Sequence, residues 1–216
     1  MSDVVAGESP PGEAGNALVS PLRFLANNPY ERLALDSVSV RLELSPGRQQ
    51  WALRGVQLLS ASVRPGDRAR VRCELEAWHG ARRQVELELP VPEEVPEGRY
   101  TLFVGGGAEL SRLEALRLPG RFRPVSLDDA FARFAAIRRN DALYAVLVAR
   151  APEVTRSGRD YPELPLSALA LLASGQSAGD DSRRGDRALL SEIREGVPGM
   201  LRGEVQLELA VDPRTP

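Results

Sequence analysis

At 216 residues, with 43% hydrophobic and 27% charged residues, the chain has an ordinary globular composition, long enough for one large domain or two small ones. Its 28 basic residues are all arginine, yet the net charge of −2 leaves no basic field to favour nucleic acid or an anionic membrane. A single cysteine, Cys73, excludes an intramolecular disulfide, and there is no run of about 18 apolar residues to span a membrane.

The first 15 residues are acidic and rich in Gly and Pro; they read as flexible and lack the basic-then-apolar order of a signal peptide. Leu18, Leu22 and Leu25 are spaced for a short helix over 16–28, with Pro21 early in it and Asn28-Pro29 as its stop. Over 37–44, Val38, Val40, Leu42 and Leu44 alternate with Ser37, Ser39, Arg41 and Glu43, which predicts a half-buried strand. Ser45-Pro46-Gly47 turns the chain into a second strand, 51–63. Its apolar parity changes between Leu58 and Leu59, which predicts a bulge there.

After the turn Arg64-Pro65-Gly66-Asp67 comes the most informative stretch. Ala69, Val71, Cys73, Leu75 and Ala77 alternate with charged residues, as do Val85, Leu87, Leu89 and Val91 with polar ones. A three-residue loop, Trp78-His79-Gly80, keeps both apolar sets on one face and asks Gly80 for a positive φ. That register sets Arg72 opposite Glu86 and Arg70 opposite Glu88, whereas a slip by two would oppose Glu74 and Glu86.

Another strand covers 99–104, and Gly105-Gly106-Gly107 marks a hinge or tight turn. A helix over 108–117 carries Leu110, Leu113 and Leu116. Ser126 then caps a helix over 127–139, with Leu127, Phe131, Phe134 and Ile137 on one face. Residues 143–149 are apolar on both faces, as in a central strand. A helix is expected over 165–173 and an exposed loop over 174–186; residues 187–193 read equally as strand or helix. Val205, Leu207, Leu209 and Val211 form a last alternating strand.

The expected fold is mainly β with α, an α+β chain. Residues 32–106 would form an immunoglobulin-like β-sandwich, rejoined by the final strand at 203–212. Residues 107–202 would form a mixed helical insert, with a short helix over 16–31 and a flexible segment over 1–15 before the sandwich.

Most catalytic chemistries lack their residues. A Ser-His-Asp arrangement could use only the lone histidine, His79, which sits in a predicted tight hairpin loop where exposure is the commoner fate. One His and one Cys cannot supply the three or four ligands of a zinc site. Cys73 points inward by the alternation. The three glycines at 105–107 lack the spacing of a phosphate-binding loop, and Asp180-Asp181 lacks that of a calcium loop. Arg184-Gly185-Asp186 matches an adhesion tripeptide short enough to arise by chance. Trp78, Trp51 and Tyr161 remain as candidate binding residues able to stack on sugars or peptides.

Several segments carry a resemblance: Asp3-Val4-Val5-Ala6-Gly7-Glu8, Leu25-Ala26-Asn27-Asn28-Pro29-Tyr30-Glu31 and the run from Pro96-Glu97-Gly98-Arg99-Tyr100 through Val104. Arg139-Asn140-Asp141-Ala142-Leu143-Tyr144 and Glu163-Leu164-Pro165-Leu166-Ser167 extend it. Together they resemble the region that follows the protease domain in bacterial proteins of the SpoIVB-type serine peptidase family. The resemblance implies an accessory region without the peptidase, in or near the cell envelope, and carries over no catalytic residue; the compartment is not otherwise readable. The expected function is a non-catalytic interaction or structural module that needs no cofactor or metal and meets a protein partner. A glycan- or small-ligand-binding module using Trp78 and the loop from Ser174 to Asp186 is the alternative, and a hydrolase using His79 the distant one.

Overall fold

Alternating side chains build most of this protein. The computed structural model describes residues 3–7, 10–34, 36–117, 124, 126–150, 153–156, 159–162, 183–185 and 187–215. In chain order its elements are α1 (Pro10–Ala26), β1 (Gln50–Leu58), β2 (Ser62–Val63), β3 (Arg68–Ala77), β4 (Arg82–Pro90), β5 (Gly98–Gly106), α2 (Gly107–Arg117) and α3 (Leu127–Ala135). Then follow β6 (Ala142–Ala149), β7 (Glu153–Arg156), β8 (Arg159–Pro162), β9 (Arg183–Gly185), β10 (Ala188–Gly196), β11 (Met200–Arg202) and β12 (Glu204–Val211). The chain is mostly β with few helices, an α+β arrangement.

Two sheets, ordered β11-β1-β3-β4 and β10-β6-β5-β12-β2, share one core; β8-β7-β9 form a third, small sheet. Ala69, Val71, Cys73, Leu75, Val85, Leu87 and Leu89 enter that core from the first sheet, and Leu102, Val104, Leu143, Ala145, Leu147 and Leu209 from the second. Burying each such leucine or valine contributes about 1.5–3 kcal/mol. Strand β6 lies between β10 and β5 and is buried along its whole length, because α2 covers its other face. There Ala142, Tyr144, Val146 and Val148 pack with Phe103 and Leu110.

The β3–β4 hairpin matches the reading from sequence residue for residue. Arg72 lies opposite Glu86 and Arg70 opposite Glu88, and Gly80 closes the loop at φ 84°. Ser126 Oγ accepts from the Asp129 amide at 3.1 Å, which satisfies one of the free donors at the start of α3. The glycines at 105–107 are neither hinge nor loop, since β5 runs through Gly106 directly into α2. They are needed for close approach: a Cβ on Gly106 would lie 2.7 Å from the Leu201 carbonyl oxygen, and one on Gly107 would lie 2.3 Å from that of Arg139. At Gly203, with φ 106°, the chain passes from β11 in the first sheet to β12 in the second.

Several expectations are corrected. Residues 37–44 form no strand: β1 is flanked by β3 on one side and, along Gln50–Ala52, by β11 on the other. Residues 51–63 are not one bulged strand. The chain leaves the first sheet after Leu58 and joins the second at Ser62, so the change of parity marks a change of sheet. The true register shift of β1 falls between Leu53 and Gly55.

Within the segment read as flexible, α1 begins at Pro10, and Asp3 accepts from the backbone and side-chain nitrogens of Asn140, both at 2.8 Å. Residues 107–202, read as a mixed helical insert, supply strands to both sheets: β6 and β10 belong to the five-stranded sheet and β11 to the four-stranded one. Leu116 points outward from α2, and α3 stops at Ala135, with Phe131 and Ile137 exposed. Of residues 187–193, all but Arg187 are strand, within β10. The helix expected over 165–173, and all of the loop at 174–186 except Arg183–Gly185 in β9, lie outside the described residues.

Candidate interaction surface

The hairpin tip carries the first candidate. Because Gly80 turns the chain tightly, Trp78 and His79 stand out of the sheet, and Trp78 is 56% exposed. The Trp78 amide donates to the Gln50 carbonyl at 2.9 Å, which ties the tip to the start of β1. From there Arg48 reaches over the indole, with its guanidinium carbon 3.8 Å from the ring centroid. One face of Trp78 is therefore already stacked by a cation. Trp51 lies opposite Ala77 at the same end of the sheet, but it packs against the core and its Nε1 donates to the Pro198 carbonyl at 2.9 Å. The structure brings the two tryptophans to one end of the sheet with different tasks, Trp51 holding structure and Trp78 facing solvent. Tyr161 lies on β8, paired through its backbone with Val154; its side chain is outside the described structure.

Cys73 and His79 lie in opposite surroundings. Cys73 is fully buried, and burial pushes its thiol up to about 12, far from the thiolate range a reactive cysteine needs. His79 is exposed in its turn, at the surface end of the hairpin. Among the described residues no three His, Cys, Asp or Glu converge as a metal site would require. A hollow of about 80 Å³ lies between Phe103, Leu113, Val148, Arg150 and Arg187, well below the ~300–1,000 Å³ of a typical small-molecule site. No helix among the described residues is long and apolar enough to cross a membrane.

Buried charge serves the frame. Arg138 donates to Glu114 of α2 at 2.9 Å and to Glu192 of β10 at 2.5 Å, tying the helix to the edge of the sheet. Arg139 holds Asp141 with a bond of 2.8 Å from Nε, and that bond keeps the Asp141 carboxyl below its ordinary range despite burial. Glu109 Oε1 accepts from the Gly203 amide at 3.1 Å, where the chain changes sheet.

The second candidate is the segment before β1. Residues 36–45 run without helix or strand pairing, and Val38, Val40, Leu42 and Leu44 are 53%, 47%, 58% and 72% exposed. Alternation that would bury a row of side chains in a sheet is here presented to solvent. Single surface apolar residues are ordinary, whereas these four recur at every second position of one exposed segment, which makes it a candidate contact surface. A second open element faces outward in the five-stranded sheet. Strand β12 pairs with β5 along its length but with β2 only at Ala210 and Val211, leaving the outer edge of 204–209 unpaired among the described residues.

Reading the sequence singled out Trp78 but missed both the stacking of Arg48 and the exposure of 37–44. Alternation over 37–44 and the turn at Ser45-Pro46-Gly47 pointed to a hairpin, so nothing local signalled that exposure. Comparison with family models, with curated proteins and with solved structures finds no match to this chain.

Proposed function

We propose that the chain is a non-catalytic interaction module of a bacterial envelope protein, built on an immunoglobulin-like sandwich, and that it binds a protein partner through residues 37–44. The observation that carries this reading is the row Val38, Val40, Leu42 and Leu44, from 47% to 72% exposed on a segment with strand periodicity and no strand partner. An extended segment of this kind is recognised by β-addition, in which main-chain hydrogen bonds supply affinity and alternate side chains supply specificity. The buried Cys73 and the solvent-facing His79 favour binding over chemistry. The sandwich reading draws on two sheets over a common core and a last strand that returns beside β5. The envelope assignment draws on the resemblance to the accessory region of SpoIVB-type peptidase proteins.

The test is capture from an extract of the source cells, with the wild-type chain and a variant carrying Val38→Ser, Val40→Ser, Leu42→Ser and Leu44→Ser. The wild type should retain a discrete protein that the variant releases. Retention of nothing, or of the same proteins by both, contradicts the reading. Carbohydrate binding at Trp78 is the competing reading and has only the free face of that ring to work with; a glycan array with Trp78→Ala as control tests it.

A further inference from the structure

We infer that residues 40–44 pair with the same residues of a second copy, as two antiparallel strands centred on Leu42. This rests on the reading of the segment as a protein-binding strand and names the strand it meets. In an antiparallel pair related by a two-fold axis, one residue faces its own copy at the axis and its neighbours face each other in mirrored order. Like charges directly opposite are unfavourable and opposite charges favourable.

Those rules select one register. Centring on Arg41 opposes two arginines, and centring on Glu43 opposes two glutamates. Centring on Val40 spends both charges on serines, Arg41 against Ser39 and Glu43 against Ser37. Centring on Leu42 sets Arg41 against Glu43 on both sides of the axis, Val40 against Leu44 on both sides, and Leu42 against its copy. Val40, Leu42 and Leu44 then share one face and both charges are paired on the other, while Val38 falls opposite Pro46 at the end of the paired stretch. The open edge of β12 is a poorer partner for the same segment, because Arg41 there meets only one of Glu204 and Glu208 while Glu43 gains no cation. The closed two-fold arrangement also uses one surface twice, so it ends at a dimer rather than growing into a fibre.

The experiment uses the purified chain. Sedimentation equilibrium should give a mass rising from 23.5 kDa toward twice that value with concentration. Arg41→Glu or Glu43→Arg alone should weaken self-association by about tenfold, by opposing like charges twice, and the double exchange should restore it. Leu42→Cys should form a disulfide-linked dimer on mild oxidation, because facing Cα atoms ~4.5–5.5 Å apart suit a disulfide. Val38→Cys should not, since its copies stand roughly 25 Å apart in this register. Cys73 is fully buried and takes no part. A monomer at every concentration, a dimer indifferent to the charge exchanges, or equal cross-linking from positions 38 and 42 overturns the inference. If the chain is monomeric yet the four serines still abolish capture from extract, only the second copy is wrong and the binding strand stands; if capture fails too, both fall.

Discussion

Arg72 of β3 and Glu86 of β4 face each other across the hairpin, and Arg72 donates from both Nε and Nη2 to one carboxylate oxygen, at 3.0 and 2.9 Å. Arg70 reaches the other oxygen of the same glutamate at 3.8 Å, and Arg68 reaches Glu88 at the same distance. These three arginines are engaged with acids of the neighbouring strand. Both partners of the Arg72–Glu86 pair are more than a third exposed, so the pair is screened. Glu86→Ala should lower stability by about 0.2–1 kcal/mol in urea unfolding, less at high salt. A loss above about 2 kcal/mol would show that the pair does more than decorate the face.

The crossing at Gly106 should be far less forgiving. A methyl group there would press on the Leu201 carbonyl and on the Glu109 carboxylate, each 2.7 Å away. Gly106→Ala should cost about 1–3 kcal/mol, since a backbone carbonyl has nowhere to go. Gly196→Ala, which meets nothing within 4 Å, is the control and should stay within about 0.5 kcal/mol. Equal stability of the two variants in chemical unfolding would refute the packing reason given for these glycines.

Cys73 makes stability depend on alkaline pH. Its thiol ionises at about 12 in the fold against 9.0 for the ordinary thiol, through burial. Below the lower value both states are protonated and the fold keeps its full advantage. Between the two values the unfolded chain loses the proton and the folded one does not, so stability falls as pH rises, on the order of 1 kcal/mol per pH unit. Cys73→Ala should show a shallower slope over that window, whatever its absolute stability. Superimposable slopes would mean the thiol is not shielded in the fold, and rapid labelling of native Cys73 would say the same.

On the acid side the group to watch is Asp141. The hydrogen bond from Arg139 lowers its pKa below the ordinary 3.8, against the opposing effect of burial. A depressed carboxyl stabilises the fold above the unfolded value, and that contribution is lost as pH falls through the folded value. Arg139→Gln should move the Asp141 titration upward in carboxyl NMR and make unfolding begin at higher pH. An unmoved Asp141 titration would remove Arg139 as the cause.

What was legible in the sequence, and what was not, follows from the range of each interaction. The β3–β4 hairpin could be read to the residue because alternation, the glycine at position 80 and the charge pairs all lie within one short stretch. The cap at Ser126 is equally local. Alternation over 37–44 is as regular as that of β3, yet it says only which way side chains would point if a neighbouring strand were present. Membership of a sheet is decided at long range, by pairings such as Glu204 with Gly105 and Gln50 with Met200. That is why 107–202 read as an insert and 51–63 looked continuous. Trp78 was visible as an exposed ring from its place in the loop, while Arg48 stacks on it across 30 residues of chain and left no pattern to read.

Amide hydrogen exchange over residues 37–44 tests the central claim most directly, because it reports whether that backbone has found a partner. The predicted result is fast exchange in dilute protein and marked protection as concentration rises, with β3 and β6 protected throughout. Protection already complete at the lowest concentration would place the segment on a strand of its own chain. Exchange that stays fast at every concentration and in the presence of source-cell extract would mean that the exposed row binds nothing.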